Sequence, residues 1–575
     1  MLDKRILNLL VIILLTFITF TWTFFIYHIP FDFVIPLSVI VVRILASFLI
    51  LKDYSLSWSK STQKTFLIKS VVYFSAFMVY MPFLYGYVRF SFLMTEVLVY
   101  LFSINLIMYA YYYYINKSRV IKTKSAVIYG AGKAGIKLEM EFKNTEYKVK
   151  YFCDDESVLQ GRSIDNVKIL SKEKLNKITK DVKFDLLLIA MPSAPKSKFA
   201  ELYEELNDSF KSIKILPSFE DILQDKDYSK QLKEISVEDL LARSPADLDK
   251  EKISSFIKDK SVLVTGAGGS IGSEIVRQCV KYGASKLILL DHSEFNLYSI
   301  EQEVGSENVF PVMQSVLNIE DLKRTFSTYK PDLVIHAAAY KHVPLVEANI
   351  REAIKNNVLG TKNITDCAIE SGVDKLVLIS TDKAVRPTNV MGTTKRICEL
   401  YAQNSNGQGT DIVAVRFGNV LGSSGSVIPK FKAQIAAGKN ITVTHPDITR
   451  YFMLIPEACE LVLQAGAIGT GGEIFILDMG EPIKIVDLAN KMIELSGRED
   501  IEIEFSGLRT GEKLYEELLI DDTDCSTEYE SITVAKPTPY ELKKLSADIK
   551  ELLTAPDQLS KLKEIVPEFD HQLNN

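Results

Sequence analysis

No two cysteines in this chain stand at C-x-x-C spacing; the six present, Cys153, Cys279, Cys367, Cys398, Cys459 and Cys525, are scattered. No His-Cys cluster occurs at ligand spacing either, so the sequence offers no metal site and its thiols read as reduced cytosolic cysteines. A basic face is missing too. The net charge is -6, and through residue 125 twelve Lys and Arg stand against four Asp and Glu, giving +8 there and leaving -14 for the remainder. An acidic soluble part lacks the electrostatic footprint of a nucleic-acid binder. The 575 residues are enough for two or three domains, each with its own core.

Charge is nearly absent from four early stretches, and these are the first feature present rather than missing. Ile6 to Ile26 is an uncharged run of 21 residues, and similar runs follow at 33–51, 70 to about 87, and 91 to about 114. Each is long enough to cross a hydrocarbon core of roughly 30 Å. The amino end and the second and fourth flanks carry Lys4, Arg5, Lys52, Lys60, Lys64, Lys69, Lys117, Arg119, Lys122 and Lys124, whereas the opposite short loops carry only Arg89. That asymmetry predicts a multi-pass membrane region with everything after residue 120 in the cytoplasm. Arg43 and Glu96 interrupt the apolar runs and are expected to pair, with Arg43 snorkelling outward.

After Lys124 short strand-like runs alternate with amphipathic stretches, the pattern of parallel α/β architecture. "SAVIYGAGKAGIKLEMEF" gives a strand, Gly130-x-Gly132-x-x-Gly135 and a helix, with Asp154 and Asp155 at a ribose-binding interval. Dinucleotide binding and a ligand-free Rossmann-like spacer both remain open for this unit. A second unit, "KSVLVTGAGGSIGSEIVRQCVKYGASKLILLD", is more complete. It runs from strand into Gly266, Gly269 and Gly272, then into a helix opened by Ser270 and Ile271, then into a strand ending at Asp291. Glycine lets a pyrophosphate approach the backbone and the helix amides, and the acid suits a ribose 2'-hydroxyl, favouring NAD over NADP. Ala337 and Ala338 leave room for a flat cofactor, and Asn356 and Asn357 are placed to brace the adjacent strand end.

The residue pattern therefore predicts four transmembrane helices over 1–120, a Rossmann-like domain over 121–245, and a second Rossmann-type catalytic domain over 246–575. The chemistry concentrates in "STDKAVRPTNVMGTTKR". Thr381, Asp382 and Lys383 follow an apolar strand, and a carboxyl beside an amine forms an acid–base pair at the end of the sheet where ligands bind. Met391 and Lys395 share a helix face four residues apart. Lys395 stands where a short-chain dehydrogenase has the lysine of Tyr-x-x-x-Lys and can bond a nicotinamide ribose. Met391 stands in the tyrosine position and can move no proton.

From about Lys122 to Lys513, and in its four-helix preface, the sequence resembles the membrane-bound nucleotide-sugar 4,6-dehydratases of bacterial polysaccharide and glycan biosynthesis, an extended branch of the short-chain dehydrogenases. The resemblance rests on "TGAGGSIGSE", "DHSEFNLY", "HAAAYKHVPLVE", "ISTDKAVRPTNVMG", "RFGNVLGSSGSVIP" and "GLRTGEKLYEEL". One branch of that family carries Met at the tyrosine position, and this chain resembles it. The resemblance implies an extended short-chain dehydrogenase domain with a small C-terminal substrate part, NAD as cofactor, UDP-N-acetylglucosamine as substrate, a homo-oligomer, and residence in the bacterial inner membrane. It also implies a UDP-linked 4-keto-6-deoxy product with retention at C5. On this reading Lys383 removes the C5 proton, Asp382 protonates the departing C6 hydroxyl and Thr381 aligns the C4 hydroxyl. Lys341, Asn357, Asn419, Arg450, Arg509 and Glu512 become the substrate contacts, the two arginines as a pyrophosphate clamp. Two departures stand out: Ser315 replaces the family's aspartate near the adenine, and Thr510 replaces the proline before Gly511. A 4-epimerase, which also cycles NAD, and a membrane-bound nucleotide sensor without turnover are the rival readings.

Overall fold

The structure, a computed structural model, describes residues 4–51, 63–116, 120–217, 228–241, 248–305, 307–498, 500–517 and 525–571. The flanking Lys52, Lys60, Lys117 and Arg119, and the boundary placed at 245, lie outside them. The chain divides into two compact units, Met1–Thr123 with Glu141–Lys148, and Lys124–Met140 with Val149–Asn575.

Four helices build the first unit: Lys4–Ile26, Val34–Ala46 continuing as the π-helical Ser47–Leu51, Gln63–Leu84 and Phe90–Asn116. Within them Asn8–Ile26, Val34–Leu51, Thr65–Leu84 and Phe90–Tyr114 are long and apolar enough to cross a membrane. Large apolar side chains such as Trp22, Phe83 and Phe102 face outward, which is stable against lipid and costly against water. The two interrupting charges pair. Arg43 donates to both Glu96 carboxylate oxygens at 3.0 and 2.7 Å, and its guanidinium lies 3.6 Å from the Tyr100 ring centroid. The expected snorkelling does not occur: both side chains are wholly buried, and Glu96, Tyr80 and Thr16 take the terminal guanidinium nitrogens of Arg43 inside the bundle. Lys69, counted above with the flank, falls inside the third span and is buried.

Two large sheets and three two-stranded ones follow in the described residues. The first contains β1 (Lys124–Tyr129), β2 (Tyr147–Cys153), β3 (Ser163–Ile164), β4 (Val167–Leu170), β5 (Leu186–Ile189), β6 (Ile213–Ile215) and β7 (Lys233–Glu234), in the order β3-β4-β2-β1-β5-β6-β7. Asp154, expected near a ribose, accepts the amides of Ala131 at 2.7 Å and Glu156 at 2.9 Å and so ties down its own glycine loop.

The second sheet contains β8 (Ser261–Thr265), β9 (Lys286–Asp291), β10 (Val309–Met313), β11 (Leu333–His336), β12 (Lys375–Ile379), β13 (Asp411–Arg416), β14 (Ile474–Leu477), β15 (Cys525–Ser526) and β16 (Ile532–Ala535). Their order is β10-β9-β8-β11-β12-β13-β14-β16-β15, parallel through β14 and antiparallel beyond. The first six strands follow the doubly wound 3-2-1-4-5-6 order, whose switch point between β8 and β11 opens a crevice at the strand ends. Burial on both faces explains the continuous apolar runs: Val262 and Val264 enter one core layer, Leu263 the other.

A smaller lobe grows from the carboxyl ends. Asn419–Leu421 pairs with Phe452–Leu454, Ile441–Val443 with Ile503–Phe505, and Thr449–Arg450 with Ile483–Lys484. Helices Val427–Ala436 and Ile485–Ser496 cover these pairs around a core that includes Phe431, Ile441, Ile485 and Leu488. Val237 and Leu241, from the end of the first α/β region, pack into this same core, and Glu238 pairs with Lys432 at 2.5 Å. The polypeptide just before the expected boundary thus supports the lobe that follows it.

Candidate active site

At the switch point β8 runs through Gly266 into the helix Ser270–Lys281. Gly266 adopts φ +65°, and a Cβ on Gly272 would stand 2.0 Å from the Gly266 carbonyl oxygen, so helix and loop touch only because both positions lack side chains. Asp291 at the end of β9 is buried and accepts the amides of Gly268 and Ser293, both at 2.9 Å. It fixes the loop as well as edging the cleft. A cleft of about 200 Å³ is lined by Gly266, Gly269, Asp291, Ser315, Ala338 and Asn356. Ser315 Oγ accepts the Leu317 amide there. The cradle, the acid and the small alanines fit a dinucleotide: a bare turn bounded by helix amides meets a negatively charged pyrophosphate.

Beside it lies a larger cavity of about 390 Å³, lined among others by Thr381, Lys383, Met391, Lys395, Asn419 and Lys341. Strand β12 leads into the Thr381–Lys383 turn: Ser380 continues the pairing through the Val415 carbonyl, and its hydroxyl donates to buried Glu399 at 2.6 Å. Glu399 stays ionised, at about 2, although burial pushes it up, because Arg416 and Arg396 hold its carboxylate. The chain then turns through Asp382–Ala384 as a 3-10 helix. Asp382 is wholly buried; its Oδ1 accepts Thr381 Oγ1 at 2.9 Å and Lys383 Nζ at 3.0 Å. Its Oδ2 has no hydrogen-bond partner among the described residues. Lys383 Nζ also donates to Asn419 Oδ1 at 3.3 Å and lies 3.6 Å from Glu516 Oε1. Burial works against the Lys383 charge, but Asp382 and then Glu516 outweigh it and raise its pKa above the ordinary lysine value.

The helix Val390–Ser405 carries Met391 and Lys395 against the same cavity. Asn389 caps it by accepting the Gly392 amide at 2.8 Å. A Cβ on Gly392 would come within 2.1 Å of the Lys383 carbonyl oxygen, so this glycine lets the helix rest on the Thr381–Lys383 turn. Lys395, also buried, has its pKa lowered by that burial; its charge, after burial, helps push His336 down to about 3. Met391 packs with Val346, Ile354 and Val390 as well as facing the cavity. Met391→Leu keeps an apolar side chain of similar volume, and steady-state turnover is expected to stay within about threefold of the wild type.

Asn357 is not among the cavity's lining residues. It is buried and bonds both backbone groups of Tyr340 and the Thr394 hydroxyl, so it braces the strand end instead of touching a ligand. Arg450, Arg509 and Glu512 do line the cavity. Arg450 spends its donors on the carbonyls of Thr449, Lys513 and Leu514, which pins the segment after Gly511. That segment is also held by Thr388 and Asn389 on the Gly511 carbonyl, and neither bond needs the proline that Thr510 replaces. Lys341 lines the cavity with its pKa lowered by burial. Two residues escaped sequence reasoning. Lys430, on the helix Val427–Ala436, reaches the cavity through a lobe whose three-residue strands leave no periodic signal. Glu516 stood inside "GLRTGEKLYEEL", and nothing in the string tells which of its acids is buried.

Sheet order and glycine cradle define a dinucleotide-binding α/β protein of the short-chain dehydrogenase type. The family described as "Polysaccharide biosynthesis protein" matches residues 262–537. The capsular polysaccharide biosynthesis protein CapD of Staphylococcus aureus is 48% identical over 421 residues, covering 71% of this chain and 70% of its own. A UDP-glucose 4-epimerase of Rickettsia rickettsii is 36% identical over 277 residues, covering 45% and 78%. An inverting UDP-N-acetylglucosamine 4,6-dehydratase of Campylobacter jejuni is 34% identical over 288 residues, covering 48% and 83%. The chain belongs to this polysaccharide biosynthesis protein family.

Proposed function

We propose that the protein is an NAD-dependent nucleotide-sugar 4,6-dehydratase that converts UDP-N-acetylglucosamine to a UDP-linked 4-keto-6-deoxy sugar at the cytoplasmic face of a membrane. One observation carries the choice. Lys383 lines the cavity together with Thr381, Met391 and Lys395, and Asp382, wholly buried behind that wall, pairs with it at 3.0 Å as an acid–base pair. A carboxyl and an amine side by side match a reaction that removes a proton at one carbon and a hydroxyl at the next. NAD, bound in the cleft at Gly266, supplies hydride acceptance at C4 and return at C6 within one turnover.

The rest falls to side chains. Lys395 bonds the nicotinamide ribose, and Thr381 aligns the C4 hydroxyl. In the substrate-free site Asp382 and Glu516 favour the proton on Lys383. Passed to Asp382 across the 3.0 Å contact, it leaves a carboxylic acid and a free amine, the form elimination requires. Lys383 then takes the C5 proton while Asp382 protonates the C6 hydroxyl, which departs as water. Lys383 returns a proton to C5 as hydride arrives at C6. The proton lost from the C4 hydroxyl passes to solvent, and one regained from solvent by the pair replaces the one carried off in water, so the pair ends as it began.

A 4-epimerase, the activity named for the rickettsial relative, would need neither the C5 base nor the C6 acid. Incubating the purified full chain with UDP-N-acetylglucosamine and NAD separates the two by mass spectrometry. The dehydratase reading expects a product lighter by one water; a product of unchanged mass with inverted C4 would replace it with the epimerase reading.

A further inference from the structure

Glu516 faces Lys383 from the segment after Gly511, and the mechanism above leaves it unused. Its side chain is 3% exposed, and its Oε1 lies between Lys383 Nζ at 3.6 Å and Arg450 Nε at 3.7 Å. Its Oε2 is buried with no hydrogen-bond partner among the described residues. A half-satisfied buried carboxylate is costly, and a fold needing only to fill this space would do better with an apolar side chain. The carboxylate is also held firmly. Its segment is tied down by Thr388 and Asn389 on the Gly511 carbonyl, by Arg450 on the carbonyls of Lys513 and Leu514, and by Lys513 Nζ on the Val385 carbonyl at 3.1 Å.

We infer that Glu516 is a positioning residue for the elimination: it steers the Lys383 side chain toward the substrate and sets how tightly Lys383 keeps its proton. This rests on the reading of Lys383 as the C5 base. The charged groups facing Lys383 are Asp382 on its own turn, Glu516 on the segment after Gly511, and Arg450, which acts in the opposite sense. Asn419 on the strand Asn419–Leu421 adds a neutral acceptor. Lys395 supplies an internal contrast. It is buried more deeply, has no ion pair to a carboxylate among the described residues, and its pKa moves in the opposite direction from that of Lys383. Without Glu516 the ammonium would keep one carboxylate, Asp382, against the full burial.

The test isolates the C5 proton transfer. The 4-keto product, made with the wild-type protein, is returned to fresh NAD-loaded enzyme in heavy water, and exchange at C5 is followed by mass spectrometry against pD. Exchange next to the ketone needs the free amine of Lys383, so it rises with pD and levels off where Lys383 has lost its proton. Glu516→Gln is expected to move that midpoint down by about 1 to 3 units, the size of an opposite charge within contact distance. Glu516→Asp, which keeps the charge, should stay near the wild type. A purely structural role would lower the exchange rate at every pD and leave the midpoint in place, and that result overturns the inference. If the Gln variant does not fold, Glu516→Met, apolar and of similar size, takes its place; failure of both neutral variants to fold assigns Glu516 to stability and also overturns it. Wild-type protein that makes no keto product, or Lys383→Ala that still exchanges C5, counts against the proposed function instead.

Discussion

Asp382→Asn and Lys383→Ala each lose elimination activity by about 10²- to 10⁴-fold, the usual worth of a positioned acid or base, while NAD binding persists. The separation follows from where the groups sit. Asp382 and Lys383 belong to the turn after β12 and line or back the larger cavity, whereas the dinucleotide cleft is built from β8, β9 and the loop after β11. Asp382→Asn keeps the shape and still accepts Thr381 and Lys383 through its carbonyl oxygen, but it has no proton to give the departing hydroxyl. Lys383→Ala removes the base and leaves Asp382, wholly buried, without its cation. Some loss of thermal stability should accompany the second variant and not the first. Turnover near wild type in either would remove that residue from its role.

Gly272→Ala produces the reverse pattern. Its Cβ would meet the Gly266 carbonyl oxygen at 2.0 Å and the Gly266 carbonyl carbon at 2.7 Å, both backbone atoms that no rotamer change can relieve. The loop must open or the helix Ser270–Lys281 must withdraw, an overpacking cost of about 1 to 3 kcal/mol taken from the surface a pyrophosphate would occupy. Calorimetric titration should show NAD affinity lower by about 5- to 100-fold, with activity falling in step and partly recovered at high NAD. Unchanged affinity would place the dinucleotide elsewhere. The two sets of variants thus separate chemistry from cofactor.

How far the sequence carried can be judged residue by residue. The glycine loop, Asp291 and the Thr381-Asp382-Lys383 turn were legible because each is local: strand, turn and helix follow within a few residues, and the chemistry belongs to adjacent side chains. Arg43 and Glu96 were legible as partners because few charges share their apolar surroundings, but not the closing of Tyr80 and Tyr100 around them, which decides that Arg43 stays inside. What was not legible depends on contacts between distant segments. Arg450, read as half of a pyrophosphate clamp, lines the cavity and also donates to the backbone carbonyls of Lys513 and Leu514. Asn357, read both as a brace and as a substrate contact, bonds both backbone groups of Tyr340, a partner the sequence did not name. Val237, assigned to the Rossmann-like domain over 121–245, fills the core of the lobe beyond it. Gly392 drew no notice, since only the packed helix shows how close it lies to the Lys383 carbonyl.

The central claim is that Lys383 removes, and returns, the proton at sugar C5 while Asp382 protonates the hydroxyl leaving C6. Running the reaction in heavy water with unlabelled UDP-N-acetylglucosamine and locating deuterium in the product tests it most directly. The account predicts a product lighter by one water, with deuterium from solvent at C5 and the substrate's own C4 hydrogen at C6. A dehydrated product with no solvent deuterium at C5, or a product of unchanged skeleton, would contradict it.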